Sequence, residues 1–142
     1  MSVELIRFVG MQAAGKSTYY ASHLAATHLH VSKDLMKNVR DRDARQRKMI
    51  ESALAEGRSV AVDNTNPTPM VRASLIEIGR RHGARVIAYF FETAAKDAVV
   101  RNRLREGRAR VPDVVIYVTA RKIVPPTLEE GFDEVRVVGI TA

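Results

Sequence analysis

The 142-residue sequence has no cysteine and no run of about eighteen apolar side chains. The first absence excludes disulfides, thiolate metal sites and cysteine nucleophiles. The second excludes a transmembrane helix. The N-terminal stretch carries Glu4 and Arg7 inside an apolar segment, unlike a basic signal peptide. We therefore expect an unprocessed, soluble, cytoplasmic protein with no membrane partner.

Internal repeats, low-complexity tracts and long linkers are also absent from the sequence. A chain of 142 residues has the length of one domain. At this size a chain can bury enough apolar surface to form its own core. We therefore predict a single domain over residues 1–142.

The charge balance is strongly basic, with 23 Lys plus Arg against 16 Asp plus Glu and a formal net charge of +7. This excess favours a polyanionic partner such as nucleic acid, although arginines could equally bind nucleotide phosphates or add solubility. The aromatic residues do not interleave with basic ones, so no stacking platform for single strands is evident. The histidines lack metal-ligand spacing, and we interpret them as structural: His23, His28, His30 and His82.

Short apolar runs alternate with longer amphipathic stretches, which predicts an α/β protein with a parallel sheet and helices on both faces. The predicted strands cover residues 3–9, 29–32, 60–63, 85–91 and 134–138. The predicted helices begin near Lys16, cover 33–56, begin at Thr68–Pro69, and cover 94–105 with Thr93 as cap. Residues 114–119 have strand propensity in helix-like surroundings, and the residues leave both states open.

Residues 10–17 read Gly-Met-Gln-Ala-Ala-Gly-Lys-Ser and match G-x-x-x-x-G-K-[ST] between a predicted strand and a predicted helix. In such a loop the backbone N–H groups surround phosphate oxygens, and the helix N-terminus adds a favourable dipole. Lys16 would contact the β- and γ-phosphates, and Ser17 would ligate Mg²⁺. The motif predicts binding of ATP or another nucleoside triphosphate with Mg²⁺. The expected nucleotide contacts are Gly10, Met11, Gln12, Ala13, Ala14, Gly15, Lys16, Ser17 and Thr18.

Two acidic residues follow predicted strands, at the sheet edge where α/β proteins bind ligands. Asp34 follows the second strand and could accept a proton from an attacking hydroxyl, or it could cap a helix. Asp63 ends the third strand and could hold Ser17 or a magnesium-bound water, or it could form an Asx turn. Both are candidate functional residues with a structural alternative.

A cluster of arginines follows the fourth strand. Arg101, Arg105 and Arg108 recur at i, i+4 and i+7, which would place three like charges on one helical face. A phosphate ligand would offset that repulsion, because the guanidinium fork binds phosphate oxygens well. The alternative is a solvated basic face. We interpret Arg103 and Arg110 as contacts to solvent or to backbone phosphates rather than as catalytic residues.

Several segments together resemble one family. They are GMQAAGKST, VSKD, VAVDNTNP, RNRLREGRARVPDVVIY and PPTLEEGF, and they span nearly the whole sequence. The chain resembles the kinase module of polynucleotide 5′-kinase/3′-phosphatases, within the adenylate-kinase-like P-loop phosphotransferases. The resemblance implies a three-layer α/β/α fold with a five-stranded parallel sheet in the order 2-3-1-4-5. It also implies a helix over residues 114–119 and an arginine-bearing lid at about 101–112.

The same resemblance implies transfer of the ATP γ-phosphate to a 5′-hydroxyl end of DNA or RNA. Catalytic roles then fall on Lys16, on Asp34 as activator of the hydroxyl, and on Arg101 and Arg105 as lid contacts to ATP. Lys37 stands where the family commonly has an arginine that contacts the acceptor phosphate, and a lysine lacks its two-pronged contact. The substrate-binding residues expected here are Lys37, Asp63, Thr65 and Asn66.

Three further expectations accompany this reading. No phosphatase region accompanies the module, so repair of both ends would require a separate 3′-end-processing or ligase partner. The main alternative function is a small-molecule kinase acting on a sugar, a nucleoside or an antibiotic. The second alternative is a nucleotide-binding regulator without catalysis.

Overall fold

The computed structural model describes residues 3–36, 39–107 and 110–139. Its five strands are β1 (Glu4–Val9), β2 (His28–Val31), β3 (Ser59–Val62), β4 (Arg85–Glu92) and β5 (Glu134–Gly139). They form one sheet in the order β2-β3-β1-β4-β5, and every neighbouring pair is parallel. The predicted fold class and strand order are therefore confirmed, with strand ends shifted by a residue or so.

Five α-helices connect these strands: α1 (Lys16–His23), α2 (Arg42–Ala55), α3 (Pro69–Arg81), α4 (Ala95–Arg103) and α5 (Asp113–Lys122). The start of α3 is as predicted, because Thr68 accepts a hydrogen bond from the Val71 N–H at 3.3 Å and Pro69 is the first helical residue. The predicted Thr93 cap is wrong. Ala94 is the residue before α4, and it makes no side-chain cap.

The region predicted as one helix over 33–56 is divided. A 3₁₀ turn covers Lys33–Leu35, and α2 begins only at Arg42. Asp41 determines that start, because its side chain accepts a hydrogen bond from the Ala44 N–H at 3.0 Å. The carboxyl end of β2 is thus followed by a tight turn rather than by the body of a helix.

Residues 114–119 lie inside α5, as the resemblance implied and against their local strand propensity. Ile116 is fully buried and packs with Met11, Ala98 and Val99. Thr119, three residues further on, is also buried. The helical spacing puts these two side chains on one face, so tertiary packing overrides propensity here.

The core covers both faces of the sheet. Leu5 of β1 packs with residues of α2 and α3, among them Ile50 and Leu75. Ile6, the next residue of β1, packs on the opposite face in a cluster that includes Leu24. Alternate residues of a strand point to opposite faces, so β1 buries side chains on both faces, and Arg7 is the charged one among them. The loop after β1 is consequently anchored to a rigid central strand. No helix in the described ranges is long and apolar enough to cross a membrane.

Candidate nucleotide-binding and phosphoryl-transfer site

The phosphate-binding loop turns directly from β1 into the N-terminus of α1. Ala13 and Gly15 have positive φ angles of 62° and 92°, and Gly15 is the residue before the helix. Gly10 has a different reason to be glycine, because a Cβ there would lie 2.9 Å from the Cβ of Phe91 in β4. The Gly10 N–H donates to the Thr65 carbonyl at 3.1 Å. The loop is therefore held between β4 and the segment that follows β3.

Lys16, the lysine of the motif, folds over this loop. Its ammonium group donates hydrogen bonds to the carbonyls of Gly10 at 2.7 Å and Met11 at 3.3 Å. Met11 is buried against Val99 of α4 and Ile116 of α5. The loop that carries the predicted phosphate contacts is thus packed against the two helices that flank the arginine-rich segment.

Asp63 lies directly behind the phosphate-binding loop, at the end of β3. Its Oδ2 accepts hydrogen bonds from Ser17 Oγ at 2.6 Å and His30 Nε2 at 2.8 Å. Burial by itself would raise the pKa of Asp63, but the bonds from His30 and Ser17 and the charge of Lys16 lower this pKa below its ordinary value. The site therefore contains a buried carboxylate that stays ionised at neutral pH.

His30 was interpreted from the sequence as structural, and the structure brings it into the site. Besides its contact with Asp63, its ring stacks on Tyr20 with centroids 4.1 Å apart and planes at 16°. The alternation of β2 puts His28 and His30 on one face, which was visible in the sequence. The register that brings His30 beside Asp63 depends on the pairing of β2 with β3, and no sequence signal gave that register.

The predicted acceptor residues lie at the same edge of the sheet. Asp34 sits in the 3₁₀ turn Lys33–Leu35 just after β2. The Lys33 N–H of this turn donates to Asn64 Oδ1 at 3.0 Å, and the Asn64 amide donates to Gln46 Oε1 at 2.5 Å. The turn that carries Asp34 is thereby tied to β3 and α2. The role of Asp34 remains a prediction, and Lys37 lies outside the described residues.

Thr65 and Asn66 make contacts within the fold. The Thr65 carbonyl accepts from Gly10 N–H, as described above. Asn66 is buried, has a positive φ of 46°, and donates its amide to the Phe8 carbonyl at 2.7 Å. Its Oδ1 accepts from Arg7 Nη2 at 2.5 Å. These contacts hold the Asn66 side chain within the fold, and its contact with substrate stays a prediction.

Behind Asn66 lies a buried charged network that sequence analysis did not select. Arg72 donates from Nε and Nη2 to the two carboxylate oxygens of Glu130, at 2.8 and 2.9 Å. Its Nη1 donates to the carbonyls of Asn66 at 3.0 Å and Val124 at 2.9 Å. Burial, followed by repulsion from Arg72, lowers the pKa of Arg7 to about 9, while Glu130 partly opposes this shift. The two most specific segments of the resemblance, DNTNP and PPTLEEGF, thus contact each other through Arg72.

Asn102 links the beginning of the arginine-rich segment, residues 101–112, to Val111 near its end. The side chain of this buried residue donates to the Val111 carbonyl at 2.5 Å and accepts from the Val111 N–H at 2.9 Å. Arg103 is exposed and pairs with Asp113 at 2.9 Å. Arg101 and Arg105 are half-buried, and Arg105 Nη1 is a buried donor without a partner in the described part of the chain. Their contact with ATP remains a prediction.

A glycine-rich loop between a central parallel strand and a helix, with a buried carboxylate on its serine, defines a P-loop nucleotide-binding protein. The family model described as an AAA domain matches residues 5–125. The chain belongs to this family.

Two relatives are similar over nearly all of the chain, and both are named bifunctional polynucleotide phosphatase/kinases. The protein of Acanthamoeba polyphaga mimivirus is 27% identical over 142 positions, covering 95% of this chain and 33% of the relative. The protein of Schizosaccharomyces pombe is 27% identical over 136 positions, covering 93% of this chain and 32% of the relative. The chain therefore spans about a third of the length of the curated relatives it matches.

Solved structures of kinases share the fold at low sequence identity. A gluconokinase from Sinorhizobium meliloti superposes with a TM-score of 0.70 at 16% identity, covering 98% of this chain and 83% of that one. A fungal RNA kinase superposes with a TM-score of 0.69 at 16% identity, covering 100% of this chain and 40% of that one. The chain therefore has the fold of the P-loop kinases, a fold used with both sugar and RNA acceptors.

Proposed function

We propose that the protein is an ATP- and Mg²⁺-dependent polynucleotide 5′-hydroxyl kinase. The observation that carries this proposal is the 27% identity to two polynucleotide phosphatase/kinases over more than nine-tenths of this chain. The sugar kinase similarity is one of fold, at 16% identity. The basic net charge of +7 agrees with a nucleic-acid acceptor.

The donor side of the site fits a nucleoside triphosphate with Mg²⁺. The loop around Gly15 and the N-terminus of α1 supply N–H groups for phosphate oxygens. The Ser17 hydroxyl and the ionised carboxylate of Asp63 are hard oxygen groups, which suit Mg²⁺ and its bound waters. When bound, Mg²⁺ would neutralise phosphate charge. Lys16 would add a positive charge beside the transferred phosphoryl group.

The acceptor side centres on Asp34. In the proposed reaction its carboxylate accepts the proton of the 5′-hydroxyl, whose oxygen forms a bond to the γ-phosphorus. The bond from the γ-phosphorus to the β,γ-bridging oxygen breaks, and ADP leaves. Arg101 and Arg105 would stabilise charge on the phosphoryl oxygens during transfer. Lys37 would contact the first phosphate of the acceptor strand.

A transfer assay with γ-labelled ATP tests this proposal. Equal concentrations of 5′-hydroxyl DNA, 5′-hydroxyl RNA, nucleosides and sugars are offered in separate reactions. We expect label on the 5′ end of an oligonucleotide, removable by a phosphatase. The K16M variant is the control for contaminating kinases, since it lacks the ammonium group of the loop. Label on a sugar or nucleoside with none on an oligonucleotide would contradict the proposal.

The second candidate is a small-molecule kinase, which the gluconokinase similarity over 98% of this chain favours. The two candidates differ in how they depend on salt. Binding of a nucleic acid releases counterions from its phosphates, so acceptor affinity should fall steeply as salt rises. A sugar acceptor carries no such phosphates. The assay series above, repeated at rising salt, therefore separates the candidates. If the nucleic-acid proposal holds, a partner for 3′-end processing or ligation is expected as well.

A further inference from the structure

A groove of about 330 Å³ runs along α2 beside β2, outside the site described so far. Leu29 of β2 and Met49 of α2 are half-buried and form its apolar floor. Arg45, Lys48 and Arg58 also line it. Because β2 is the outermost strand on its side of the sheet, the groove is open to solvent along its length.

One end of this groove lies close to the proposed acceptor site. Gln46, the neighbour of Arg45 in α2, is hydrogen-bonded to Asn64 at the carboxyl end of β3. Asn64 in turn holds the turn that carries Asp34. From Arg45 the groove leads along α2 to Glu56, a distance of about 16 Å at 1.5 Å per residue. The groove therefore starts at the end of α2 that is linked to the Asp34 turn and leads away from that turn.

The charge of the groove suits a polyanion. Three of its lining residues are cationic, and Glu56 is the acidic one. In the described ranges the ion pairs of the protein involve other residues, so Arg45, Lys48 and Arg58 keep their charges available. Cations around an apolar floor match a nucleic-acid strand, which presents phosphates on one side and sugars and bases on the other.

We propose that this groove binds the acceptor strand downstream of its 5′-terminal nucleotide, with backbone phosphates on Arg45, Lys48 and Arg58. The inference rests on the proposed function, and it identifies the substrate class as an oligonucleotide rather than a mononucleotide. At about 3.4 Å per stacked nucleotide, a groove of this length holds roughly five nucleotides. The contacts are to the backbone, so the groove discriminates by length and charge and not by base sequence.

Acceptor length is the first test. Phosphoryl transfer is measured on 5′-hydroxyl oligonucleotides of two to ten nucleotides, and KM is determined for each length. For the unaltered protein we expect KM to fall as the acceptor lengthens to about six nucleotides and then to level off. In the R45Q/K48Q/R58Q variant the fall should be absent. R47Q is the matched control, because Arg47 is an exposed cation of the same helix that does not line the groove.

Direct binding separates this inference from the proposed function. A fluorescently labelled ten-nucleotide strand is titrated with protein at 50 and 200 mM salt, without ATP. Three phosphate contacts on a single strand predict a loss of about 20-fold in affinity over this range. The triple variant should lose this salt-dependent part of its affinity, and R47Q should retain it.

The outcomes are distinct. Salt-dependent binding that the triple variant loses supports the groove even if no phosphate is transferred, in which case the proposed function alone fails. Unchanged length dependence in the triple variant, or an equal loss in R47Q, overturns the groove while leaving a kinase intact.

Discussion

Arginine is used differently in two regions of the molecule. Arg7 and Arg72 are fully buried, and their side chains donate hydrogen bonds to Asn66, to Glu130 and to backbone carbonyls. Arg101 and Arg105 are half-buried in the segment that follows β4, and a buried nitrogen of Arg105 has no partner among the described residues. Arg7 Nε also lacks a partner, but both Nη atoms of Arg7 donate hydrogen bonds within the fold, whereas the side chains of Arg101 and Arg105 form no hydrogen bond with the described residues. The second region therefore leaves its guanidinium groups available to a ligand.

The difference shows how the partners of an arginine indicate its role. A buried guanidinium is costly to desolvate, and the lowered pKa of Arg7 reflects this cost. Arg72 tolerates burial because Glu130 binds it with both oxygens. In the other region no carboxylate of the described residues pairs with Arg105, and a triphosphate could supply the missing charge. Spacing in the sequence had selected the second pair and overlooked the first.

Replacing Arg105 tests whether the half-buried arginines serve a ligand and not the stability of the fold. R105A should lower kcat by about 10³- to 10⁵-fold, the range for an arginine that stabilises a transferring phosphoryl group. Its thermal unfolding should stay close to that of the unaltered protein, since the Arg105 side chain forms no hydrogen bond with the residues that the structure describes. R110A, an exposed cation of the same segment, is the control in the transfer assay. A kcat for R105A within tenfold of the original would remove Arg105 from the mechanism.

The D34N variant separates chemistry from nucleotide binding at the other side of the site. Loss of the proposed general base should lower kcat by about 10²- to 10⁴-fold. ATP affinity, measured by calorimetry, should stay near that of the unaltered protein, because Asp34 is assigned to the acceptor. Near-normal turnover would contradict this assignment, whereas loss of ATP affinity would move Asp34 to the donor side.

Removing Glu130 tests the buried region. E130A leaves the buried Arg72 without its carboxylate partner and should lower the free energy of unfolding by about 3–5 kcal/mol. E129A changes an exposed neighbour of Glu130 in the 3₁₀ turn Leu128–Glu130 and should alter the free energy of unfolding by about 0.5 kcal/mol or less. Urea unfolding at neutral pH measures both variants. Equal free energies of unfolding for E130A and E129A would mean that the buried Arg72–Glu130 pair does not stabilise the fold more than an exposed carboxylate does.

The smallest expected effect concerns Asp63, which bonds to Ser17 and His30 in the phosphate-binding site. Its pKa is lowered in the folded state. Its stabilising contribution is therefore present above the unfolded pKa of about 3.9 and is lost as the pH falls through the folded value. D63N should lower the free energy of unfolding by about 1.5–3 kcal/mol at pH 7.

The effect of D63N on the free energy of unfolding should also depend on pH. The difference in the free energy of unfolding between D63N and the unaltered protein should become smaller when urea unfolding is repeated below pH 4. D97N, an exposed carboxylate on α4, serves as control and should show no comparable difference. If D63N lowers the free energy of unfolding by the same amount at pH 3 as at pH 7, the ionised carboxylate is not the cause of its effect.

The fold was largely predictable because short, mainly apolar segments alternate with longer amphipathic ones and the phosphate-binding loop has a fixed pattern. Local signals were weaker at helix ends. Thr93 looked like a cap, yet α4 begins after Ala94, since a cap requires a particular backbone geometry as well as a suitable side chain. Residues 114–119 were ambiguous because propensity and packing disagree there, and the resemblance, not the local residues, indicated a helix.

The site was predictable only where a motif fixes local backbone geometry. Lys16 and Ser17 belong to such a motif. The hydrogen bonds of the Asn66 side chain with Phe8 and Arg7 were not foreseen, and its predicted substrate contact stays a prediction. His30 was expected to be structural, but strand pairing brings it to Asp63. Both depend on contacts between residues more than thirty positions apart, which local patterns do not encode.

The sequence by itself determined the layered α/β class, the phosphate-binding loop and the basic charge, because these follow from periodicity, motif and composition. Only the tertiary structure decided which arginines are paired and which remain available. The physical reason is that a guanidinium group looks the same in any sequence. Its role depends on whether the fold places a carboxylate such as Glu130 beside it.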